Sequence, residues 1–329
     1  MNHIKLTGIV ILSFLLSACI LMRPCGISAA GLDEIIEKAA FADGLILTGS
    51  GSLKWEYTRV DTTSKRYELW REDVIKSLDD DQQVVFHNTR TFDTFFAFKD
   101  NLMRCDLKSI EPDPTAKLYF RNRQMAYNGE KTDYLKLENA VEDGIISSKG
   151  AVRSENHIPV KLIDPRYNGM GIWGESVGNF LNAPYIVVDP YGTKELKGLQ
   201  LIGQEPQDGI ECDVISGTVE GTDVVMTMWL AASRNYRPKH IEFTTGDTKT
   251  VIHTTFKQYD GGVWFPKQIT KKTYYINENS DSLELETVSM IIVSDDYEIN
   301  IDVSDSVFEI VYPAGLLVYD ERIGKAVTK

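Results

Sequence analysis

Cysteine is scarce in the sequence, with four among 329 residues, and no two cysteines form a C-x-x-C pair. The five histidines form no H-x-x-x-H pair, and none stands at a ligand spacing from a cysteine. Structural zinc sites draw their ligands from such closely spaced pairs. The sequence therefore predicts no metal site, and it offers no constellation of residues that would hold a cofactor.

Basic residues are also few, with 35 lysines and arginines against 48 aspartates and glutamates, for a net charge of −13. An acidic surface repels the phosphate backbone, so this balance argues against a nucleic-acid partner. It also argues against direct attachment to anionic membranes, since their surface potential is negative. Contact with a membrane is expected only through a lipid anchor.

The sequence lacks a glycine-rich phosphate loop, because "TGSGS" (48–52) precedes a strand-like segment and has no lysine. The acidic runs "SLDDDQQ" and "VSDDYEIN" lack the spacing of an EF-hand calcium loop. Runs of like charge are usually solvated surface. These segments therefore predict neither nucleotide binding nor calcium binding.

One catalytic motif is present, since "GESVG" (174–178) fits the nucleophile elbow G-x-S-x-G around Ser176. That elbow requires a buried strand before the serine and a long helix after it. The preceding "RYNGMGIW" has two glycines, and any following helix must end before Pro184. We therefore expect a protein that is not an enzyme, and a serine hydrolase using Ser176 is the least favoured alternative.

The N-terminus has the features of an export signal: Lys5, an uncharged and mostly apolar run from Leu6 to Met22, and small residues before Gly31. Two cleavage sites compete. "LSAC" resembles the lipobox of bacterial lipoproteins, in which Cys19 would carry the lipid, whereas "SAA" suits ordinary signal peptidase after Ala30. The chain is therefore expected in a bacterial envelope, as a periplasmic protein or an outer-membrane-associated lipoprotein.

Cleavage after Ala30 would leave two cysteines, Cys105 and Cys212. An oxidising compartment would permit a disulfide between them. Both lie in strand-like segments, so two buried free thiols are an equally good interpretation. The sequence leaves these alternatives open.

Hydrophobic periodicity predicts a mainly β protein with a few helices, of the α+β class. Residues 32–46 and 63–83 have helical spacing, whereas "LKWEYTRV" (53–60) alternates as a half-buried strand does. Two hairpins follow, one turning near "KDN" and one at Asn128-Gly129, a strong hairpin signal. From Leu199 an antiparallel meander is expected, with a short helix over "GESVGNFLN" before it.

Apolar residues follow one side of several predicted strands. A long antiparallel sheet must curl, and its concave side can hold more apolar surface than a few helices fill. Methionine side chains on that side suit an adaptable pocket. A cavity for a hydrophobic ligand and a filled core remain as two interpretations. The candidate cavity residues are Leu53, Trp55, Tyr57, Phe96, Phe98, Met125, Tyr127, Val224, Met226, Met228, Leu230 and Phe243.

Three segments resemble exported members of the lipoprotein-sorting superfamily, the LolA/LolB-like outer-membrane lipoprotein carriers. They are "GSLKWEYTRV", "YDGGVWFPKQITKKTYY" and "NIDVSDSVFEIVYPAGLLVYDERIG", the last with Phe308, Pro313, Gly315, Val318 and Asp320 at the familiar places. The resemblance covers residues 31–322 in organisation. The chain is longer than the compact carriers of that family, and residues 138–200 have no counterpart in them.

This resemblance implies an unclosed, strongly curved antiparallel β-barrel with helices covering the opening. It divides the chain into a signal (1–30), one β domain (31–322) with an irregular middle segment (138–200), and a tail (323–329). It implies a carrier or sensor that binds a lipid or a lipoprotein acyl chain in the concave face. The alternative is an envelope module with a filled core that binds another protein.

Overall fold

The computed structural model describes residues 29–60, 68, 72, 89–112, 118–140, 146–153, 164–167, 177–182, 185–188, 192–277 and 282–329. Residues 1–28 of the predicted export signal, with Cys19, and the motif serine Ser176 lie outside these residues. Within the predicted helix 63–83, Glu68 and Glu72 are described and are helical. No helix of the described ranges is long and apolar enough to cross a membrane.

Strands dominate the described residues. Two α-helices have both ends within the described residues, α1 (Ala29–Asp43) and α2 (Val177–Asn182), and short 3-10 helices are also present, one of which is Pro165–Tyr167. The strands are β1 (Thr48–Arg59), β2 (Thr89–Lys99), β3 (Leu102–Pro112), β4 (Leu118–Tyr127), β5 (Thr132–Ala140), β6 (Ile146–Arg153), β7 (Tyr185–Val188), β8 (Gly192–Gln207), β9 (Ile210–Val219), β10 (Val225–Ala231), β11 (Arg237–Thr244), β12 (Thr248–Gln258), β13 (Trp264–Asn277), β14 (Ser282–Val293), β15 (Glu298–Ile299), β16 (Leu317–Asp320) and β17 (Lys325–Thr328).

Strand β1 lies near the middle of the sheet, between β14 and β2. On one side the order continues from β14 back through β13 to β8, and on the other from β2 to β6. These neighbours are antiparallel, and the sheet is large, curved and unclosed. The prediction of a curved, unclosed and mainly antiparallel sheet is therefore confirmed. One departure is the parallel pairing of β16 with β6.

Both hairpins predicted after β1 are present, as β2–β3 and β4–β5. The turn at Asn128-Gly129 has four residues rather than two, because Tyr127 pairs directly with Thr132. The Asn128 side-chain oxygen accepts hydrogen bonds from the backbone N–H groups of Glu130 and Lys131, both at 3.1 Å. This asparagine therefore organises the longer loop, as Asx residues do in turns.

Regular elements also occur in the predicted tail and in the predicted middle segment. Strand β17 lies within the expected tail (323–329) and pairs with β16, so the sheet continues beyond residue 322. The middle segment (138–200) contains β6, α2, β7 and the beginning of β8.

Helix α1 is held to the sheet at its C-terminal end. The guanidinium of Arg237, at the start of β11, donates to the Asp43 carboxylate at 2.6 Å and to the Ala42 carbonyl at 3.1 Å. Arg237 is buried, and burial lowers its pKa while Asp43 opposes that shift. The following loop is fixed by the Asn300 side chain, which bonds to the backbone of Leu45 and Leu47.

The main hydrophobic core brings the two helices together with one face of the sheet. Ile35 and Ala39 of α1, and Val177, Phe180 and Leu181 of α2, belong to the same cluster as the buried strand residues. Phe180 has no exposed surface. Burying each large apolar side chain stabilises the fold by about 1.5–3 kcal/mol, so this cluster provides much of the driving force for folding.

Cys105 and Cys212 are both buried and free in the structure. This arrangement corresponds to the second alternative from the sequence, two buried thiols, and not to the disulfide. Burial raises the pKa of Cys212 to about 11 and raises that of Cys105 well above its usual value. Both thiols are therefore protonated and unreactive near neutral pH.

Candidate functional site

A pocket of about 230 Å³ opens on the face of the sheet that also carries the core. Strands β1, β13 and β14 form it, and these three are neighbours in the centre of the sheet. Its lining residues are Trp55, Tyr57, Ile269, Lys271, Thr273, Thr287, Ser289 and Ile291.

Strand register places these residues in rows across the three strands. The first row has Trp55, Ile291 and Ile269. The second row has Tyr57, Ser289 and Lys271, and the third has Thr287 and Thr273. Successive rows are two residues, or about 7 Å, apart. The pocket therefore changes over about 14 Å from an apolar end to a polar end.

The apolar end is continuous with the hydrophobic core. Ile269 and Ile291 belong to the core cluster, and Trp55 packs against it. The Trp55 ring stacks on Phe92 with centroids 4.7 Å apart and planes inclined by 20°. Its indole N–H donates to the Ser289 hydroxyl at 2.8 Å. The indole is thus held on both its face and its edge, and it forms a fixed wall of the pocket.

Lys271 is the one charged residue among those that line the pocket. Its side chain makes no hydrogen bond or ion pair with any other residue of the described ranges. Burial lowers the pKa of Lys271, because a desolvated ammonium is less stable than a solvated one. Its neighbour Lys272 points to the opposite face, where it is exposed. The two adjacent lysines therefore have different environments.

A β-bulge lies next to the polar end of the pocket. Thr273 pairs with Thr287 whereas Tyr274 pairs with Leu285, so Glu286 is an extra residue in β14. Glu286 is buried and accepts a hydrogen bond from the Arg59 guanidinium at 3.0 Å. Bulges of this kind redirect a side chain locally. Glu286, the acidic residue adjacent to Thr287, therefore pairs with Arg59.

The structure distributes the twelve predicted cavity residues between the pocket and the core. Trp55 and Tyr57 line the pocket. Three others are partly buried and pack against the core: Tyr127, Val224 and Phe243. The remaining seven are core residues with at most 4% of their surface exposed: Leu53, Phe96, Phe98, Met125, Met226, Met228 and Leu230.

These seven residues therefore belong to the hydrophobic core of the described part of the chain. The strand alternation correctly placed Met226, Met228 and Leu230 on the same face, and all three have no exposed surface. Residues of α1 and α2 belong to the same cluster, so side chains of the protein fill this part of the concave face. Closely packed interiors leave few voids larger than a water molecule.

Six lining residues were not among the sequence candidates: Ile269, Lys271, Thr273, Thr287, Ser289 and Ile291. A signal for them was present, since "ITKKT" and "TVSMI" alternate with a period of two. The polar letters in these strands are typical of a solvated face. Only the register with β1 shows that they lie beside Trp55 and Tyr57.

The chain was compared with known proteins. No protein-family model matches it, and no curated protein matches it. It is similar to a solved DUF1329 family protein from Desulfovibrio piger, at 12% identity and a TM-score of 0.41, over 84% of this chain and 97% of the other.

It is also similar to MucB in a complex with MucA(peri), and to a Pseudomonas aeruginosa MucA/MucB complex. In both cases the identity is 8%, the TM-score is 0.20, and the match covers 84% of this chain and 97% of the other. Similarities at TM-scores below 0.5 assign neither a family nor a function to this chain. The lipoprotein-sorting resemblance therefore remains a prediction.

Proposed function

We propose that this chain is an exported binding protein of the cell envelope that holds the hydrophobic part of a ligand in the pocket between β1, β13 and β14. The observation that carries the proposal is the apolar end of that pocket, where Trp55, Ile269 and Ile291 extend the core without closing it. The role is that of a carrier or a sensor. Helices α1 and α2 cover the rest of the concave opening.

The size of the pocket limits what it can hold. A volume of about 230 Å³ is below the roughly 300–1,000 Å³ of most small-molecule sites. One hydrocarbon chain fits this volume better than a lipid with several chains. Each methylene transferred from water gains about 0.8 kcal/mol, so even part of one chain gives measurable affinity. The proposal is therefore for a single chain, or for one chain of a larger molecule.

Uptake of a fluorescent fatty-acid probe by the purified protein tests the proposal. Thr287→Phe adds an aromatic ring at the pocket, whereas Val288→Phe adds the same ring on the opposite face of β14. We expect one probe per wild-type chain, uptake reduced at least tenfold by Thr287→Phe, and wild-type uptake in Val288→Phe. No uptake by the folded wild-type protein would reject the proposal, as would equal uptake by the two variants.

In the proposed function, the protein binds its ligand and does not catalyse a reaction on it. The alternative, a hydrolase using Ser176, can be tested by exposing the same purified protein to a serine-directed fluorophosphonate. We expect no label on the wild type beyond that on Ser176→Ala. Labelling of the wild type that the substitution abolishes would favour the enzyme instead.

A second candidate function, binding of an envelope protein, is favoured by the C-terminal hairpin. All four residues of β17 are exposed, and so are the apolar side chains of Leu317, Tyr319 and Ile323. Exposed strands of this kind accept an extended peptide as an additional strand. A partner that co-purifies with the wild type and is lost in Leu317→Asp/Tyr319→Asp would support this function. Retention of that partner by the double variant would reject it.

A further inference from the structure

The pocket offers hydrogen-bond donors and a positive charge but no acidic side chain among its lining residues. Lys271 contributes an ammonium group with three donors, and Tyr57 and Ser289 contribute hydroxyls from the same row. Apart from those three, the polar lining residues are Thr273 and Thr287. None of these lining residues supplies a counter-charge for Lys271.

The Ser289 hydroxyl is a second candidate donor in the pocket. Its oxygen accepts the indole N–H of Trp55 at 2.8 Å, so its own proton is available to a different acceptor. No acceptor for that proton is found within the described part of the chain. Ser289 lies directly opposite Lys271 on the neighbouring strand, and directly paired residues have their side chains about 5 Å apart. One small group could therefore accept from both.

We propose that Lys271, with the Ser289 hydroxyl, binds the carboxylate of a single-chain amphiphile, such as a fatty acid. This inference rests on the proposed function and specifies its ligand class. The carboxylate lies in the row of Lys271, Ser289 and Tyr57. The first part of the chain lies over Trp55, Ile269 and Ile291, at the end of the pocket that joins the core.

The energetics of Lys271 favour such a ligand. Burial lowers the pKa of Lys271, which means that its surroundings in the pocket destabilise its charged form. An anion within hydrogen-bond distance offsets that cost, and charged hydrogen bonds are shorter and stronger than neutral ones. A neutral head group cannot offset it to the same degree. The charge of the lysine thus gives the pocket a preference for anions, beyond its affinity for hydrocarbon.

The single cation favours a carboxylate over a phosphate. A phosphate monoester carries about −1.5 to −2 charges near neutral pH, and its recognition commonly uses arginine. One lysine and one or two hydroxyls match the single charge and two oxygens of a carboxylate more closely. No arginine lines the pocket.

The test compares ligands that share a chain and differ in the head group. Decanoate, decanol and decyl phosphate are titrated into the purified protein below their micellar concentrations, and acetate reports on the anion without a chain. The variants are Lys271→Met, which keeps most of the side-chain length without the charge, and Lys272→Met. Lys272 is a matched control because it is the adjacent residue on the opposite, exposed face.

We expect wild-type protein and Lys272→Met to bind decanoate about tenfold to hundredfold more tightly than decanol, the range expected for a charged hydrogen bond. Lys271→Met should lose the preference for decanoate and bind it no more tightly than decanol. Binding of decanol also shows that this variant is folded. Decyl phosphate should bind more weakly than decanoate, and acetate should not bind measurably.

The outcomes separate this inference from the proposed function. Equal affinity of the wild type for decanoate and decanol would overturn the carboxylate site and leave the hydrophobic pocket standing. A preference for decyl phosphate would overturn the choice of carboxylate. A preference for decanoate that persists in Lys271→Met would overturn the role of Lys271. Absence of binding by every chain-bearing ligand would reject the proposed function itself.

Discussion

The indole N–H of Trp55 donates a hydrogen bond to the Ser289 hydroxyl across two neighbouring strands, at 2.8 Å. This contact joins a large apolar group and a small polar group at the point where the pocket changes character. The indole N–H occupies one acceptor position of the serine oxygen, and the serine satisfies an indole donor that lies partly buried. The position of the Ser289 hydroxyl beside the Trp55 indole therefore depends on the relative position of β1 and β14.

Trp55 should report directly on occupancy of the pocket. We expect decanoate to shift the intrinsic fluorescence emission of the wild-type protein, because a chain over the indole removes water from its face. Trp55→Phe should abolish most of that shift. Trp264→Phe is the control, since Trp264 lies beneath the Arg234 guanidinium and does not line the pocket. A shift that is lost in Trp264→Phe instead would place the ligand elsewhere.

Removal of the partly buried charge of Lys271 should stabilise the protein in the absence of added ligand. The pKa of Lys271 is lowered in the folded state from 10.5, so folding is penalised most when the lysine is charged in both states. That penalty is fully present below the folded-state pKa, and it disappears as the pH rises to about the unfolded value. We therefore expect a higher free energy of unfolding for Lys271→Met than for the wild type at neutral pH.

Denaturant titrations at neutral and alkaline pH measure this difference. It should shrink towards pH 10.5, and Lys272→Met should show no comparable stabilisation, because Lys272 is exposed. If Lys271→Met were less stable than the wild type, while Lys272→Met had wild-type stability, Lys271 would have a stabilising partner in the folded chain.

Met228 should act as a core residue and not as part of the binding site. Its side chain has no exposed surface and belongs to the core cluster with residues of α1 and α2. Met228→Ala should lower the free energy of unfolding by about 2–5 kcal/mol, the usual cost of a large-to-small change in a core. The dissociation constant for decanoate should be unchanged. If Met228→Ala lost decanoate binding and kept wild-type stability, Met228 would instead belong to the wall of the ligand cavity.

Asp43 should stabilise the folded protein by holding α1 against the sheet through Arg237. Removing one partner of a buried ion pair leaves the other charge uncompensated, which costs about 3–5 kcal/mol. The free energy of unfolding of Asp43→Ala should therefore fall by nearly this amount, because Arg237 is buried. Thermal or denaturant unfolding measures the difference. The control on the same helix is Glu34→Ala, which breaks only the exposed pair with Lys38 and should leave stability unchanged within error. Equal effects of the two substitutions would contradict this role of Arg237.

Local patterns predicted much of the sheet. Alternation in "LKWEYTRV" correctly gave the C-terminal half of β1, and the two hairpins after it form as expected. These features depend on neighbours in sequence, such as the side chain of Asn128 in its own turn. The parallel pairing of β6 with β16 could not be read in this way, because it joins segments more than 150 residues apart.

The candidate site was predicted only in part, for a related reason. Strand alternation shows which residues share a face, but not what fills the space above that face. Met226 and Met228 were correctly placed on one side, yet Phe180 and Val177 belong to the same filled core, and they come from a segment whose helix has only six residues. Similarly, the adjacent pair Lys271 and Lys272 has one member on each face. Only the register with β14 and β1 shows which one enters the pocket.

The most direct measurement of the central claim is a crystal structure of the protein with decanoate brominated at its far end. The account predicts a carboxylate within hydrogen-bond distance of Lys271 and Ser289. It also predicts an anomalous bromine signal on the far side of Trp55, Ile269 and Ile291 from that carboxylate. A ligand bound outside the space between β1, β13 and β14, or an empty pocket at saturating ligand, would contradict it.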